Sequence, residues 1–219
     1  MPWRFCRYAM YTLLVVILDI GSTLADEPKV ADPISGDTYS KSAGSKGVVL
    51  FAVRWGRQLP CGKLESAQLH EIGFDKLPSQ KKDDAQAPDI LIDSTTPIMS
   101  KSIFTSYAFS VDPGEYGLSS FQIQVARAGS DMEIATTPRT ALFKNGDPQG
   151  GTFKIEPGEI VYIGHFYLDC YEQPKLWRFF PNSKELFDRY LATYPIPDFA
   201  KAQYRLFKTT EFGRDFHLP

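Results

Sequence analysis

The sequence predicts a mainly β fold: an antiparallel β-sandwich of seven or eight strands, with two C-terminal α-helices packed on it. Three observations carry this. Between residues 47 and 170 the apolar residues fall in short runs that alternate or are rich in β-branched and aromatic side chains. Pro-Gly, Asn-Gly and charged, proline-containing stretches separate those runs, and that is the chemistry of turns and loops. Beyond residue 180 the period lengthens to that of a helix, with Leu186, Phe187, Tyr190, Leu191 and Tyr194 in one stripe.

The chain has 219 residues, 43% of them hydrophobic, which suits one domain with a real core. Its net charge of −2 argues against nucleic acid as a partner, because neutralised phosphates supply most non-specific affinity. Residues 1–25 read as a signal peptide. Arg4 and Arg7 form a basic start, Ala9 to Leu18 is almost wholly apolar, and Thr23 and Ala25 are small residues where a signal peptidase cuts. The apolar run is shorter than the roughly 20 residues that cross a bilayer. The expected destination is therefore the periplasm or the exterior, with no stable membrane span after cleavage. An uncleaved anchor is the alternative.

Cleavage removes Cys6 and leaves Cys61 and Cys170. An even pair in an exported chain suggests a disulfide. Closing a loop of roughly 110 residues would stabilise the fold by about 4–5 kcal/mol through chain entropy. Two buried free thiols are the alternative; zinc is poorly supported, since no CxxC or HxxxH pattern accompanies them.

Residues 26–46 are polar and rich in Ser, Gly, Asp and Pro, and read as a flexible tether. The β domain is expected over 47–180 and a helical extension over 181–219. Gly47 to Trp55 is a continuous apolar run, which suggests a strand covered on both faces. Ser66 to Phe74 alternates, with Leu69 and Glu71 on one side and His70, Ile72 and Phe74 on the other. Residues 75–89 are charged, hold two prolines and read as a mobile surface loop. Ile90 to Asp93 and Lys101 to Val111 are further strands, the second placing Tyr107, Phe109 and Val111 on one face. Along Glu115 to Ala126 the alternation slips, which predicts a bulge near Ser119 and Ser120. A brief strand at Met132 to Ala135 lies inside a loop. Thr140 to Phe143 and Gly151 to Glu156 flank an Asn-Gly hairpin signal. Glu159 to Asp169 suits a central strand. A capping box from Asn182 to Glu185 starts one helix, which Pro195 ends. Pro197 starts a second, with Phe199, Ala202 and Leu206 inward and Gly213 at its end.

One turn occurs twice. Phe109, Val111, Asp112, Pro113, Gly114, Glu115 and Tyr116 align with Phe153, Ile155, Glu156, Pro157, Gly158, Glu159 and Ile160. Pro presets φ and Gly accepts a positive φ, so each unit reads as a hairpin between apolar strands. A strand, then Pro-Gly-Glu, then a strand holding Tyr162, Ile163 and Gly164, resembles the β-sandwiches of exported bacterial proteins. It is similar to carboxypeptidase-regulatory or transthyretin-like domains and to envelope lipoproteins with the same turn. The resemblance covers roughly residues 47–170. It implies a sandwich that mostly lacks catalysis, and it supplies no catalytic residue. The chain departs from the lipoproteins in having no cysteine after its apolar leader, and its helical tail lies outside the pattern.

Little in the sequence looks catalytic. His165 and Asp169 share a strand face, but four residues place them roughly 13 Å apart. His70 could join only through the fold, and His217 lies in the tail. Glu115 and Glu159 occupy equivalent places after the two turns, where exposed charges suit the turn better than a glycosidase pair. No G-x-S-x-G, HExxH or P-loop occurs, so no cofactor is implied. The aromatic candidates for binding are Trp55, Tyr162, Tyr167, Tyr171 and Trp177. Alternation places Tyr162, Phe166 and Leu168 on one face, and His165, Tyr167 and Asp169 on the other. The second face, with Trp177, is a possible binding surface unless the helices cover it, and an amphipathic helix must bury its stripe somewhere. The expected function is non-enzymatic: an exported envelope protein serving as an interaction or structural accessory module for an envelope protein or surface component. The alternative is a secreted carbohydrate-binding protein or hydrolase whose pocket comes from distant strands.

Overall fold

The structure is a computed structural model that describes residues 34–42, 44–81, 85–94, 104–126, 131–170, 175–179, 184–194 and 196–205. Residues 1–25, expected to be a signal peptide, and Tyr171, Asn182, Pro195, Leu206, Gly213 and His217 lie outside the described residues.

The elements run α1 (Gly36–Ser42), β1 (Gly47–Arg54), β2 (Ser66–Leu77), β3 (Ile90–Asp93), β4 (Phe104–Val111), β5 (Gly114–Ala126) and β6 (Met132–Thr137). There follow α2 (Arg139–Leu142), β7 (Phe143–Lys144), β8 (Asp147–Pro148), β9 (Thr152–Ile155), β10 (Ile160–Asp169) and β11 (Lys175–Phe179). The chain closes with α3 (Lys184–Leu191), a 3-10 helix (Pro197–Lys201) and β12 (Gln203–Tyr204). The fold is mainly β. The first sheet has the order β11-β10-β1-β4, with β12 also on β10; the second has β3-β2-β5-β6, with β9 also on β5; β7 and β8 form a small ribbon. Among the described residues ten strands thus lie in two five-stranded sheets, against the seven or eight expected. Pairing is mostly antiparallel, but the central pair β1–β10 and the short pair β10–β12 are parallel. That corrects a purely antiparallel expectation at the middle of the first sheet.

One core draws on both sheets: Val49, Phe51 and Val53 of β1, Ile72 and Phe74 of β2, Phe121 of β5, and Val161, Ile163 and Phe166 of β10. The Phe51 ring lies 6.4 Å from Phe74 and 5.9 Å from Phe166. A second cluster occupies the other face of the first sheet. There Val48, Leu50, Ala108, Ile160 and Tyr162 lie beneath Leu191, Tyr194, Ile196 and Phe199. Strand β1 is therefore covered on both faces, as its unbroken apolar run requires.

The two Pro-Gly turns are not hairpins. β4 belongs to the first sheet and β5 to the second, while β9 belongs to the second and β10 to the first. Each turn is a corner that hands the chain from one sheet to the other. The corners stand together, since Gly114 pairs with Ile155 and Glu115 with Lys154. β1 starts between them: Gly47 pairs with Val111 and Val48 with Ile160. A Cβ at Gly47 would lie 2.4 Å from Ile155 Cγ1, so only glycine fits there. Gly158 takes the positive φ its turn requires, at 74°, and Glu159 N–H donates to the Glu156 carbonyl at 3.1 Å.

Other expectations need correction. The tether over 26–46 is built structure at 34–42: Ile34 is buried and donates its N–H to the Ala108 carbonyl at 2.8 Å, and Tyr39 in α1 packs edge-on to Phe199. Helices are therefore not confined to the C-terminal end. The second C-terminal helix is only a 3-10 turn, because the chain leaves it to pair Gln203 and Tyr204 with Val161 and Tyr162. The stretch 75–89 is not all loop. β2 continues to Leu77, and Asp75 is fully buried against Arg139. Around the Asn-Gly turn, Thr140 to Leu142 is helical, and β9 pairs with β5 instead of closing a hairpin with it. The turn itself holds, with Asn145 and Gly146 at φ 55° and 88°. The bulge holds too: Gly73 pairs with Ser120 and Phe74 with Leu118, leaving Ser119 as the extra residue. A further slip at His70 turns Leu69 inward along with Ile72 and Phe74. Among the described residues no helix is long and apolar enough to cross a membrane.

Candidate binding site at the open end of the first sheet

β1 sends Val49, Phe51 and Val53 into the main core, so its alternate residues, Val48, Leu50, Ala52 and Arg54, face the helices. Register extends each of these into a row across the sheet. Ala52 lies opposite Ser106 and His165, and His165 opposite Phe179. One step further, Arg54 lies opposite Phe104 on β4 and Tyr167 on β10, and Tyr167 opposite Trp177 on β11.

Strand β10 reaches this register through a bulge. Leu50 pairs with Tyr162 but Ala52 with His165, so β10 carries one residue more than β1, and Gly164 absorbs it at φ 110°. Tyr162 and His165 consequently share the helix-side face, while Phe166 and Leu168 turn to the core. This corrects the simple alternation that grouped Tyr162 with Phe166.

His165 is 0% exposed. The Tyr162 hydroxyl is hydrogen-bonded to its Nδ1, the Tyr190 ring of α3 lies 4.0 Å away and the Phe104 ring 4.7 Å. Burial pushes its pKa down from 6.5 to about 4, so the ring is neutral at neutral pH. His165 is therefore covered by α3 and does not belong to an open surface. His70 lies on β2 of the other sheet, and the fold does not bring it to His165. Trp55 is core, donating its indole N–H to the Tyr107 hydroxyl at 2.6 Å.

The cover ends one row beyond His165. Arg54, Phe104, Tyr167 and Asp169 are all half-buried. The Arg54 guanidinium carbon stands 4.8 Å from the Tyr167 ring centre and 5.7 Å from that of Phe104, a cation beside two rings that themselves meet edge-on at 6.5 Å. Its Nε is buried and has no hydrogen-bond partner. Burial, and then Asp169, raise the Tyr167 hydroxyl pKa, while Arg54 opposes them. Trp177 keeps its register place beside Tyr167; its side chain lies outside the described residues. Cys61 and Cys170 meet with their Sγ atoms 1.99 Å apart, and Gly62 N–H donates to the Cys170 carbonyl at 3.2 Å. The bridge so anchors the end of β10 just past the row.

Sequence reasoning found Tyr167, Asp169 and Trp177 but missed Arg54 and Phe104. The available signal was phase: Arg54 closes the apolar run of β1 in the same alternation as Val48 and Leu50. The two turn glutamates are not the exposed charges expected, since each is half-buried and held by contacts within the fold. Glu159, with its side chain 12% exposed, is ion-paired with Arg205 and also accepts from Glu156 N–H at 2.9 Å, and Glu115 accepts from the Thr152 hydroxyl at 2.7 Å. No protein-family model, curated protein or solved structure matches the chain.

Proposed function

We propose that this chain is a non-enzymatic exported protein of a bacterial envelope, a sandwich-like module that holds an envelope protein or surface component. The resemblance to carboxypeptidase-regulatory and transthyretin-like domains belongs to the same proposal. One observation carries the reading. The titratable centre of the candidate strand, His165, is sealed beneath Tyr190, while the neighbouring Arg54–Tyr167 row is left half open. That geometry supports contact chemistry over bond-breaking chemistry. The Cys61–Cys170 bond is compatible with export to an oxidising compartment. The test is a broad hydrolase screen on the chain from Asp26 onward, alongside its His165→Ala and His70→Ala variants. No turnover is expected; turnover that disappears in either variant overturns the proposal.

The second reading is a carbohydrate-binding protein or hydrolase, and the half-exposed rings of Phe104 and Tyr167 favour its binding form. A third, strand pairing with a partner, draws on β6, an edge strand whose Met132 and Ile134 are exposed.

A further inference from the structure

Resting on the reading of β6 as a strand-pairing edge, we propose that two copies of this chain join through β6, edge to edge and antiparallel, with the two Ile134 residues facing each other at the two-fold axis.

The backbone of β6 is open in a defined pattern. Ala67 exchanges both of its main-chain bonds with Gln58, at 2.9 and 3.2 Å, so its N–H and C=O point away from β5. Its antiparallel partner Val125 then turns its own groups toward β6, where they meet those of Glu133. Alternation from Glu133 aims the N–H and C=O of Met132, Ile134 and Thr136 outward, past the end of the sheet order β3-β2-β5-β6. Among the described residues no strand pairs with that edge. An open edge of this kind is a template for another strand.

The side chains of the same three residues are exposed. Met132 is 38% exposed and Ile134 52%, and they are two of the three large apolar residues that stand exposed among the described residues. They lie on the outer face of the sheet, because Ala135 and Thr137 between and beyond them are buried opposite Ile123 and Phe121 of the core. On that outer face the residue directly across from Ile134 in its own chain is the polar, half-buried Gln124.

The sequence of β6 fits its own copy in one register. With Ile134 opposite Ile134, Met132 of each copy faces Thr136 of the other, so every outward N–H and C=O of the three residues is bonded. Glu133 then faces Ala135, and Ile134 gains the apolar partner it lacks at home. Moving the centre to Glu133 would set two carboxylates directly opposite each other, which is destabilising. Moving it to Ala135 would set Met132 opposite Pro138, which has no N–H to give. The two-fold axis stands perpendicular to the sheet, so each buried face runs on into the other and two five-stranded sheets become one of ten strands. The seam is six residues long, which puts the pair among weak associations.

The test is sedimentation equilibrium of the chain from Asp26 onward, loaded from about 1 μM to about 1 mM, the range in which weak pairs form. A monomer–dimer equilibrium is expected. Ile134→Lys sets two like charges opposite each other, and Thr136→Pro removes one outward N–H from each copy while leaving the ladder to β5 intact. Each should weaken dimerisation about tenfold or more, the scale of one or two lost hydrogen bonds. Leu59→Ser removes the other exposed apolar side chain, which lies outside β6, and should change nothing. Near-ultraviolet circular dichroism checks that each variant is folded, and Ile134→Lys carries the comparison if Thr136→Pro is not. Amide hydrogen exchange gives a second readout. Raising the concentration should slow Met132, Ile134 and Thr136 and leave Glu133 and Ala135, already bonded to β5, unchanged. A chain that stays monomeric throughout, a dimer indifferent to both edge variants, or slowing without that alternation each overturns the assignment. Strand pairing at β6 fails separately, if the three outward amides of the monomer already exchange as slowly as those of Glu133 and Ala135.

Discussion

Asp75 and Arg139 test whether the segment between β2 and β3 is locked or loose. Asp75 is 0% exposed and the Arg139 side chain 5%. Arg139 Nε lies 2.7 Å from one carboxylate oxygen and Nη2 3.4 Å from the other, and Nη2 also donates to the Gln86 carbonyl at 3.0 Å. Lys81 stands 3.2 Å from the same carboxylate. Removing one member of a buried pair leaves an uncompensated charge, which costs about 3–5 kcal/mol. The two single variants should therefore differ. Asp75→Asn strips the buried Arg139 of its carboxylate, while Lys81 keeps Asp89 at 2.8 Å, and is expected to cost about 3–5 kcal/mol. Arg139→Met leaves Lys81 beside Asp75, so its expected cost is nearer the ~1–3 kcal/mol of a lost buried hydrogen-bond partner. The double variant should cost less than the sum of the singles, with a coupling of about 1–3 kcal/mol. Urea unfolding of the four proteins measures all three quantities. If Asp75→Asn unfolds within about 1 kcal/mol of the parent, the pair is not a lock and the reasoning fails.

Acid should weaken the fold through His165. Its folded pKa, about 4, lies below the 6.5 of an unperturbed ring. Between those values the unfolded chain binds a proton that the folded chain refuses, so stability falls as pH drops through that window, by about 3 kcal/mol at most. Below the window no further loss comes from this group. His165→Phe should flatten that part of the stability profile; an unchanged profile counts against it. A thiol assay on the denatured, unreduced chain from Asp26 onward should find no free thiol. Replacing Cys61 and Cys170 with Ser should cost about 4–5 kcal/mol by loop entropy. Gly164→Ala places a side chain at φ 110° and should cost about 1–3 kcal/mol, with hydrogen exchange quickening first along β10 and α3. Unaltered exchange there would mean that the bulge tolerates a Cβ.

What the sequence revealed divides along a physical line. The bulge at Ser119 was legible because Tyr116 and Leu118 share one phase while Phe121 and Ile123 share the other, and only an inserted residue reconciles them. The bulge at Gly164 was not, because both faces of β10 are buried and a slip leaves no polar residue out of place. The Pro-Gly corners were legible as reversals but not as sheet crossings, since turn chemistry fixes the local bend and says nothing about the next pairing partner. Asp75 was hidden for the same reason: its charged neighbours read as loop, and Arg139, 64 residues away, is what makes burial tolerable. The candidate row was half visible. Tyr167, Asp169 and Trp177 stood out along the chain, whereas Arg54 and Phe104 join them only through register.

The Cys61–Cys170 bridge gives the covalent graph the outline of a ring with two tails. The ring carries every strand of the second sheet together with β4 and β10. The leading tail supplies β1, clasped between those two ring strands, and the trailing tail supplies α3, the 3-10 helix and β12, which roof it over. A single cut within the ring would leave the halves joined until a reductant is added. A single cut just after Cys170 would turn the roof and β11 into a separate fragment held without a covalent bond, through its strand pairing to β10, the Arg205–Glu159 ion pair and packing, and its departure would bare the apolar side of β1 and the buried imidazole beneath Tyr190. Non-reducing electrophoresis after limited proteolysis thus separates damage to the frame from loss of the roof.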